Sequence, residues 1–155
     1  MTKQKGHKIV IGRKDIADFP EIGFDQVGVK IDTGAYTSSI HCSKIYVENG
    51  TLYCNFFDEK HPEYSLKTHA FKDFRTIKVK SSNGIAQNRY EIKTKISIFN
   101  KNYKISLSLS DRSDMKFPVL LGRKFLNPKF IVDPALVDLS FNNKIHEFKN
   151  IIQEP

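Results

Sequence analysis

Asp32-Thr33-Gly34-Ala35 follows directly on an apolar run, Val27-Gly28-Val29-Lys30-Ile31. A carboxylate at the end of a strand, then a hydroxyl, then a glycine that lets another chain approach closely, can be held rigidly at the floor of a cleft. A plain turn after a strand uses the same residue types for local hydrogen bonds, so the tripeptide alone does not decide between the two. Further on, Phe117-Pro118-Val119-Leu120-Leu121 leads into Gly122-Arg123-Lys124-Phe125-Leu126, an apolar strand running into a short helix. Thr37, Ser38 and Ser39 carry hydroxyls, but no histidine stands in a recognisable pairing with them, and they read as loop and strand polar groups. The histidines are His7, His41, His61, His69 and His146. His41, Cys42, Cys54, His61 and His69 share one region, yet neighbours such as His41 and Cys42 on a strand point to opposite faces. There is no HExxH and no GxxxxGK[ST], so neither a metal site nor a nucleotide cradle is expected, and no cofactor.

The elements that must position these residues are mostly strands. Tyr90, Ile92, Thr94, Ile96 and Ile98 alternate with polar residues, as do Tyr103, Ile105, Leu107 and Leu109, and a turn at 100–102 separates the two runs. The same reading predicts strands at 7–11, 27–31, 38–47, 51–57, 65–71 and 76–80. Helical periodicity is confined to 122–126 and to a C-terminal turn or two lined by Ile145, Phe148 and Ile152. Many short strands joined by polar turns predict a mainly β fold, a barrel or sandwich. Between the strands at 76–80 and 89–95, Asn83-Gly84 supplies the positive φ of a tight reversal, and turn chemistry alone makes this a surface hairpin.

The chain has 155 residues, 39% hydrophobic and 27% charged, which predicts one globular domain over 1–155 with its core at about 9–141 and a tail at 142–155. No apolar run is long enough to span a bilayer. Met1–Lys8 is followed by only three apolar residues, too few for a secretory signal, so a cytoplasmic protein with reduced cysteines is expected. The net charge of +8 attracts polyanions: nucleic acid, membrane headgroups or acidic peptides. With 20 Lys against 5 Arg, scattered rather than clustered, a solvated lysine surface is favoured over nucleic-acid binding.

The motifs taken together resemble the retropepsin-like aspartic proteases, in which a DTGA loop, a glycine-containing flap and an apolar-apolar-Gly-Arg segment follow in this order. The segments KIDTGAYTSSIHC (30–42), VKSSNGIAQNR (79–89), LSDRSDMKFPVLLGRKFL (109–126) and FIVDP (130–134) are similar to one bacterial and archaeal family in particular. That family is labelled ATP-dependent zinc protease and is often encoded near RimK-type ATP-grasp ligases. The residues here support neither the zinc nor the ATP of that label. The resemblance implies a closed retropepsin-like barrel with one short helix after Gly-Arg, and an aspartic peptidase whose catalytic loop is Asp32, Thr33 and Gly34. It implies substrate contacts from Ala35, from Ser82, Asn83 and Gly84 of the flap, and from Arg89 and Arg123.

Such a peptidase needs two carboxylates sharing one proton, and this chain has one Asp-Thr-Gly, so a homodimer is the expected active form. A peptide or protein substrate, acidic in keeping with the charge and with ligases that add glutamate, is the expected partner. The alternative is a non-catalytic module that holds acidic peptides beside an ATP-grasp ligase. Viral retropepsins place an acid after DTGA to pair with the Arg of Gly-Arg, whereas Tyr36 stands here. Three placements fit Arg123: pairing with another acid such as Asp133, facing the cleft as an anion site, or packing the loop against the helix. Asp111-Arg112-Ser113-Asp114-Met115 fits the family pattern and equally a solvated turn.

Overall fold

A computed structural model describes residues 7–80, 83–111 and 116–153. Its elements are β1 (Ile9–Ile11), β2 (Lys14–Phe19), β3 (Phe24–Ile31), β4 (Ser38–Glu48), β5 (Thr51–Phe56), β6 (His69–Phe71), β7 (Arg75–Lys80), β8 (Ala86–Ile98), β9 (Lys101–Ser110), β10 (Val119–Leu121), α1 (Arg123–Leu126), β11 (Phe130–Val132) and α2 (Leu139–Gln153). The pairing order β10-β3-β2-β8-β9-β4 returns to β10, which closes a 6-strand barrel. The expected mainly β, retropepsin-like barrel is therefore the fold found.

Alternation explains most of the wall. On β8, Ile92, Thr94, Ile96 and Ile98 are buried while Lys93 and Lys95 between them are exposed. Four segments break the alternation, the last four residues of β9 and the last three of β5 among them, and two of the four bear directly on the Asp32 loop. These are β10, buried throughout, and the first five residues of β4. They run side by side in the wall: β10 pairs parallel with β3 (Leu121 opposite Ile31) and antiparallel with β4 (Val119 opposite Ile40). One short strand thus holds both flanks of the segment that contains Asp32.

The structure differs from the expectation in four places. β2 is a strand that pattern reading misses, because its inward residues are Asp15, Ala17 and Phe19, a set that does not look like a core face. β11 is added as a three-residue parallel partner of β1. β6 covers only 69–71, since 58–68 is taken up by turns. The C-terminal turn or two is the 15-residue helix α2, so the fold has a second helix beyond the one expected. Its start is fixed from across the chain: Asp15 accepts the Ser140 and Phe141 amides at 2.9 and 3.2 Å, and the Ser140 hydroxyl accepts the Phe99 amide at 2.8 Å. Lys14 and Lys144 add ion pairs to Asp138 and Asp18. Burial raises the Asp15 carboxyl above the usual carboxylate range, against the pull of its amide donors. Of the residues expected to line one face of that turn, Ile145 is 37% and Phe148 63% exposed. No helix among the described residues is long and apolar enough to cross a membrane.

Candidate active site

The loop at 32–37 begins where β3 ends. The Asp32 amide donates to the Leu121 carbonyl at 2.9 Å, and the Asp32 carboxylate accepts the Gly34 amide at 2.9 Å, which fixes the side chain over its own loop. Asp32 is half-buried, and Thr33 and Gly34 are exposed. A Cβ at Gly34 would lie 3.1 Å from the Asp32 carboxylate, so glycine leaves that oxygen open.

The donors that hold the loop come from the start of α1. The Gly122 amide donates to the Ser38 hydroxyl (3.0 Å), the Arg123 amide to the Ala35 carbonyl (2.8 Å) and the Lys124 amide to the Tyr36 carbonyl (3.0 Å). The first amides of a helix have no partner within it, and here the loop carbonyls use them. Gly122 is required by this closeness: a Cβ there would meet the Tyr36, Ala35 and Thr37 carbonyl oxygens at 2.7, 2.9 and 2.9 Å. The Arg123 guanidinium donates to the Thr33 carbonyl at 2.9 Å and lies 5.8 Å from the centre of the Tyr36 ring. Of the three placements open to Arg123, the structure has the loop braced against the helix. Asp133 is engaged locally, accepting the Ala135 amide. Tyr36, in the place of the acid, supplies a ring face rather than a carboxylate. The bracing roles of Gly122, Ser38 and Tyr36 were not assigned from sequence, although an apolar triplet ending in Gly-Arg pointed to the segment.

The second group of expected residues lies on the β7–β8 hairpin. Its ladder runs from Arg75 opposite Glu91 to Lys80 opposite Ala86. Asn83 accepts the Ile85 amide, and Gly84 has φ +84° with nothing within 4 Å of an added Cβ. Ser82, expected to bind substrate, lies outside the described residues, as do Ser81 and the 112–115 part of the charged loop. Arg89 is half-buried and donates to Gln87 on its own strand; burial lowers its pKa. The hairpin's base is tied by Arg75, exposed, to Glu91, which is 3% exposed, at 2.6 Å. The structure thus gathers Asp32, Thr33, Gly34, Ala35 and Arg123 into one hydrogen-bonded unit and places Asn83, Gly84 and Arg89 on a separate arm.

The His and Cys region is packing and hydrogen bonding. His41, buried, reaches Asp58 through Nε2 (2.9 Å) and the Ser110 carbonyl through Nδ1 (3.4 Å), with Asp111 3.7 Å away. His61 stacks on Phe57, and His69 packs against Phe24 and Phe56; burial lowers both pKa values. Cys42 and Cys54 are free buried thiols, and burial together with Cys54 pushes the Cys42 pKa well up. Among the described residues no three His, Cys, Asp or Glu side chains converge as a metal site.

Comparison with known proteins places this architecture. A family described as RimB-like, retropepsin-like aspartic endopeptidase RimB, matches residues 10–141. A protein of Desulfotalea psychrophila named "Probable alpha-L-glutamate ligase" is 33% identical over 135 residues, and one of Shewanella pealeana with the same name is 30% identical over 141. Each match covers 83% of this chain but only 29% of the relative, so the chain spans less than a third of those proteins. A crystal structure of a Legionella pneumophila protein of unknown function shares the fold, with a TM-score of 0.65 at 23% identity, covering 86% of this chain and 99% of that one. The match over 10–141 and the braced Asp-Thr-Gly loop agree: the chain belongs to the RimB-like family of retropepsin-like aspartic endopeptidases.

Proposed function

We propose that this protein is an aspartic peptidase that works as a homodimer and processes acidic, glutamate-rich peptides or protein tails. The observation that carries the reading is the Asp32 loop: a half-buried carboxylate whose backbone is fixed by β10 and α1, one per chain. Two such carboxylates, one from each protomer, share a proton. The ionised one takes a proton from water as its oxygen attacks the scissile carbonyl carbon, while the protonated one donates to the carbonyl oxygen. Collapse of the tetrahedral intermediate breaks the C–N bond, and the proton moves to the leaving amine. Thr33 and Gly34 shape the loop and the approach to it, and the hairpin with Asn83 and Gly84 covers the bound peptide. The substrate class rests on the net charge of +8 and on relatives named for glutamate ligation. The site is cytoplasmic in this reading, where such ligases have their ATP.

Turnover of a glutamate-rich peptide should fall about a thousandfold or more in Asp32→Asn, with folding unchanged. Sedimentation across a concentration series, with peptide present, should show a dimer whose population tracks activity. A strictly monomeric protein that still cleaves would overturn the dimer. Because the relatives are named as ligases, a second reading is a non-catalytic module that presents acidic chains to such an enzyme. It predicts peptide binding with no turnover in the unsubstituted protein.

A further inference from the structure

A cavity of about 500 Å³ lies apart from Asp32, which is not in its lining. It opens between the β8–β9 wall and α1, and five lysines line it: Lys93 and Lys95 from β8, Lys104 from β9, Lys124 and Lys129 from α1 and the turn after it. Glu21, 3.7 Å from Lys95, is the one acid in its lining. A second cavity, of about 400 Å³, adjoins it through Lys129 and adds Lys8, Lys101 and His7. The scattered lysines of the sequence thus converge, because residues 93 and 95 share a face and Lys104 is directly opposite Lys95. Clustering cations raises their mutual repulsion, which an anionic occupant relieves.

We propose that this trough binds an extended acidic peptide, with side-chain carboxylates on the lysine ammonium groups. Three features favour that occupant over nucleic acid. Lys93 and Lys95 are two residues apart on a strand, so their stems repeat at about 7 Å, the repeat of alternate side chains on an extended peptide. The cations are all lysines, point charges suited to single carboxylate oxygens rather than the guanidinium forks that clamp phosphates and bases. The aromatic rings are not available for base stacking: Tyr103 and Phe125 pack edge to face at 5.9 Å, and the Lys129 ammonium lies 4.7 Å from the Phe125 ring centre. Ser38 and Lys124 belong both to this lining and to the bonds that hold the Asp32 loop, so the trough borders the proposed site. The inference deepens the acidic-substrate reading and rests on it for the choice of peptide, while its binding step is independent of cleavage.

Fluorescence anisotropy of a labelled deca-glutamate on the full chain carrying Asp32→Asn tests it. Binding should weaken about tenfold or more when Lys93, Lys95 and Lys104 are all changed to Gln, and again between about 50 and 500 mM salt. Changing the exposed Lys60, Lys67 and Lys72 to Gln removes the same charge elsewhere and should leave the dissociation constant within about twofold. Thermal melts establish that both triple variants fold; if the Lys93 set does not, Lys124→Gln with Lys104→Gln replaces it. Equal weakening in the two sets would show a diffuse charge effect and overturn the trough. Tighter binding of a deca-thymidine than of deca-glutamate would assign it to nucleic acid instead. Tight deca-glutamate binding with no cleavage by the unsubstituted chain would defeat the peptidase reading and leave the trough standing. Cleavage with an unchanged dissociation constant and KM in the Lys93 set would do the reverse.

Discussion

The Asp32 loop and the β7–β8 hairpin carry the two halves of the proposed site, and they are built in opposite ways. The loop and Ser38 after it receive five hydrogen-bond donors from residues 122–124 and from Gly34, and they abut β10 and the start of β4, which are buried on both faces. Among its described residues the hairpin is tied mainly by its own ladder and by the Arg75–Glu91 ion pair at its base, with most of its residues exposed. Density of bonding and burial sets how often a segment opens, so the loop shares the stability of the core while the hairpin opens locally. In the proposed reaction such a pairing would give a fixed carboxylate to position a water and a cover able to open for a chain.

Gly122→Ala should show the largest effect, because its Cβ would meet three backbone carbonyls that cannot move without dragging the loop. A loss of about 3 kcal/mol in denaturant unfolding and collapse of turnover are expected together. An alanine variant with normal stability would mean that the loop yields far more easily than its bonds imply. Arg123→Lys keeps the charge and loses the planar fork that reaches Thr33 and lies by Tyr36. Stability should drop by about 1 kcal/mol, and kcat about tenfold with KM nearly unchanged, as befits a positioning residue. A rise in KM alone would move Arg123 to the substrate-binding role that the sequence suggested. Gly84→Ala should be mildest: φ +84° strains an L residue by about 1 kcal/mol, but the added methyl meets nothing. Hydrogen exchange in the hairpin should quicken while the global melting temperature stays put. A fall in the melting temperature as large as that of Gly122→Ala would erase the contrast between the two regions.

How far the sequence disclosed this site follows the same division. Asp32-Thr33-Gly34 and Gly122-Arg123 were legible because each joins an apolar run to residue types that only a close approach requires. The alternation over β8 and β9 was legible because one face of each is wet. β2 was hidden by Asp15, a buried carboxylate whose purpose lies at the start of α2, 125 residues away. α2 itself has no acid in its first turn, so its start carried no local signature. The role of Arg123 was open because a hydrogen bond to the Thr33 carbonyl depends on where the loop's backbone points, which no residue type encodes. The lysine trough was missed for a related reason: cross-strand register, not spacing along the chain, brings Lys95 and Lys104 together.

The position of β10 along the chain has a consequence for the order of events during synthesis. The strands that flank Asp32 emerge well before Val119–Leu121 and the donors at 122–124. Hairpins such as β4–β5 and β8–β9 can form from neighbouring sequence, but Ile31 and Ile40 must wait for partners roughly eighty to ninety residues downstream, a closure that is slow because it is non-local. An unfinished or truncated chain lacking residues 119–124 therefore carries Asp32 on an unbraced loop, and its carboxylate is not held for chemistry. Only when nearly all of the barrel exists is the proposed catalytic loop held in place.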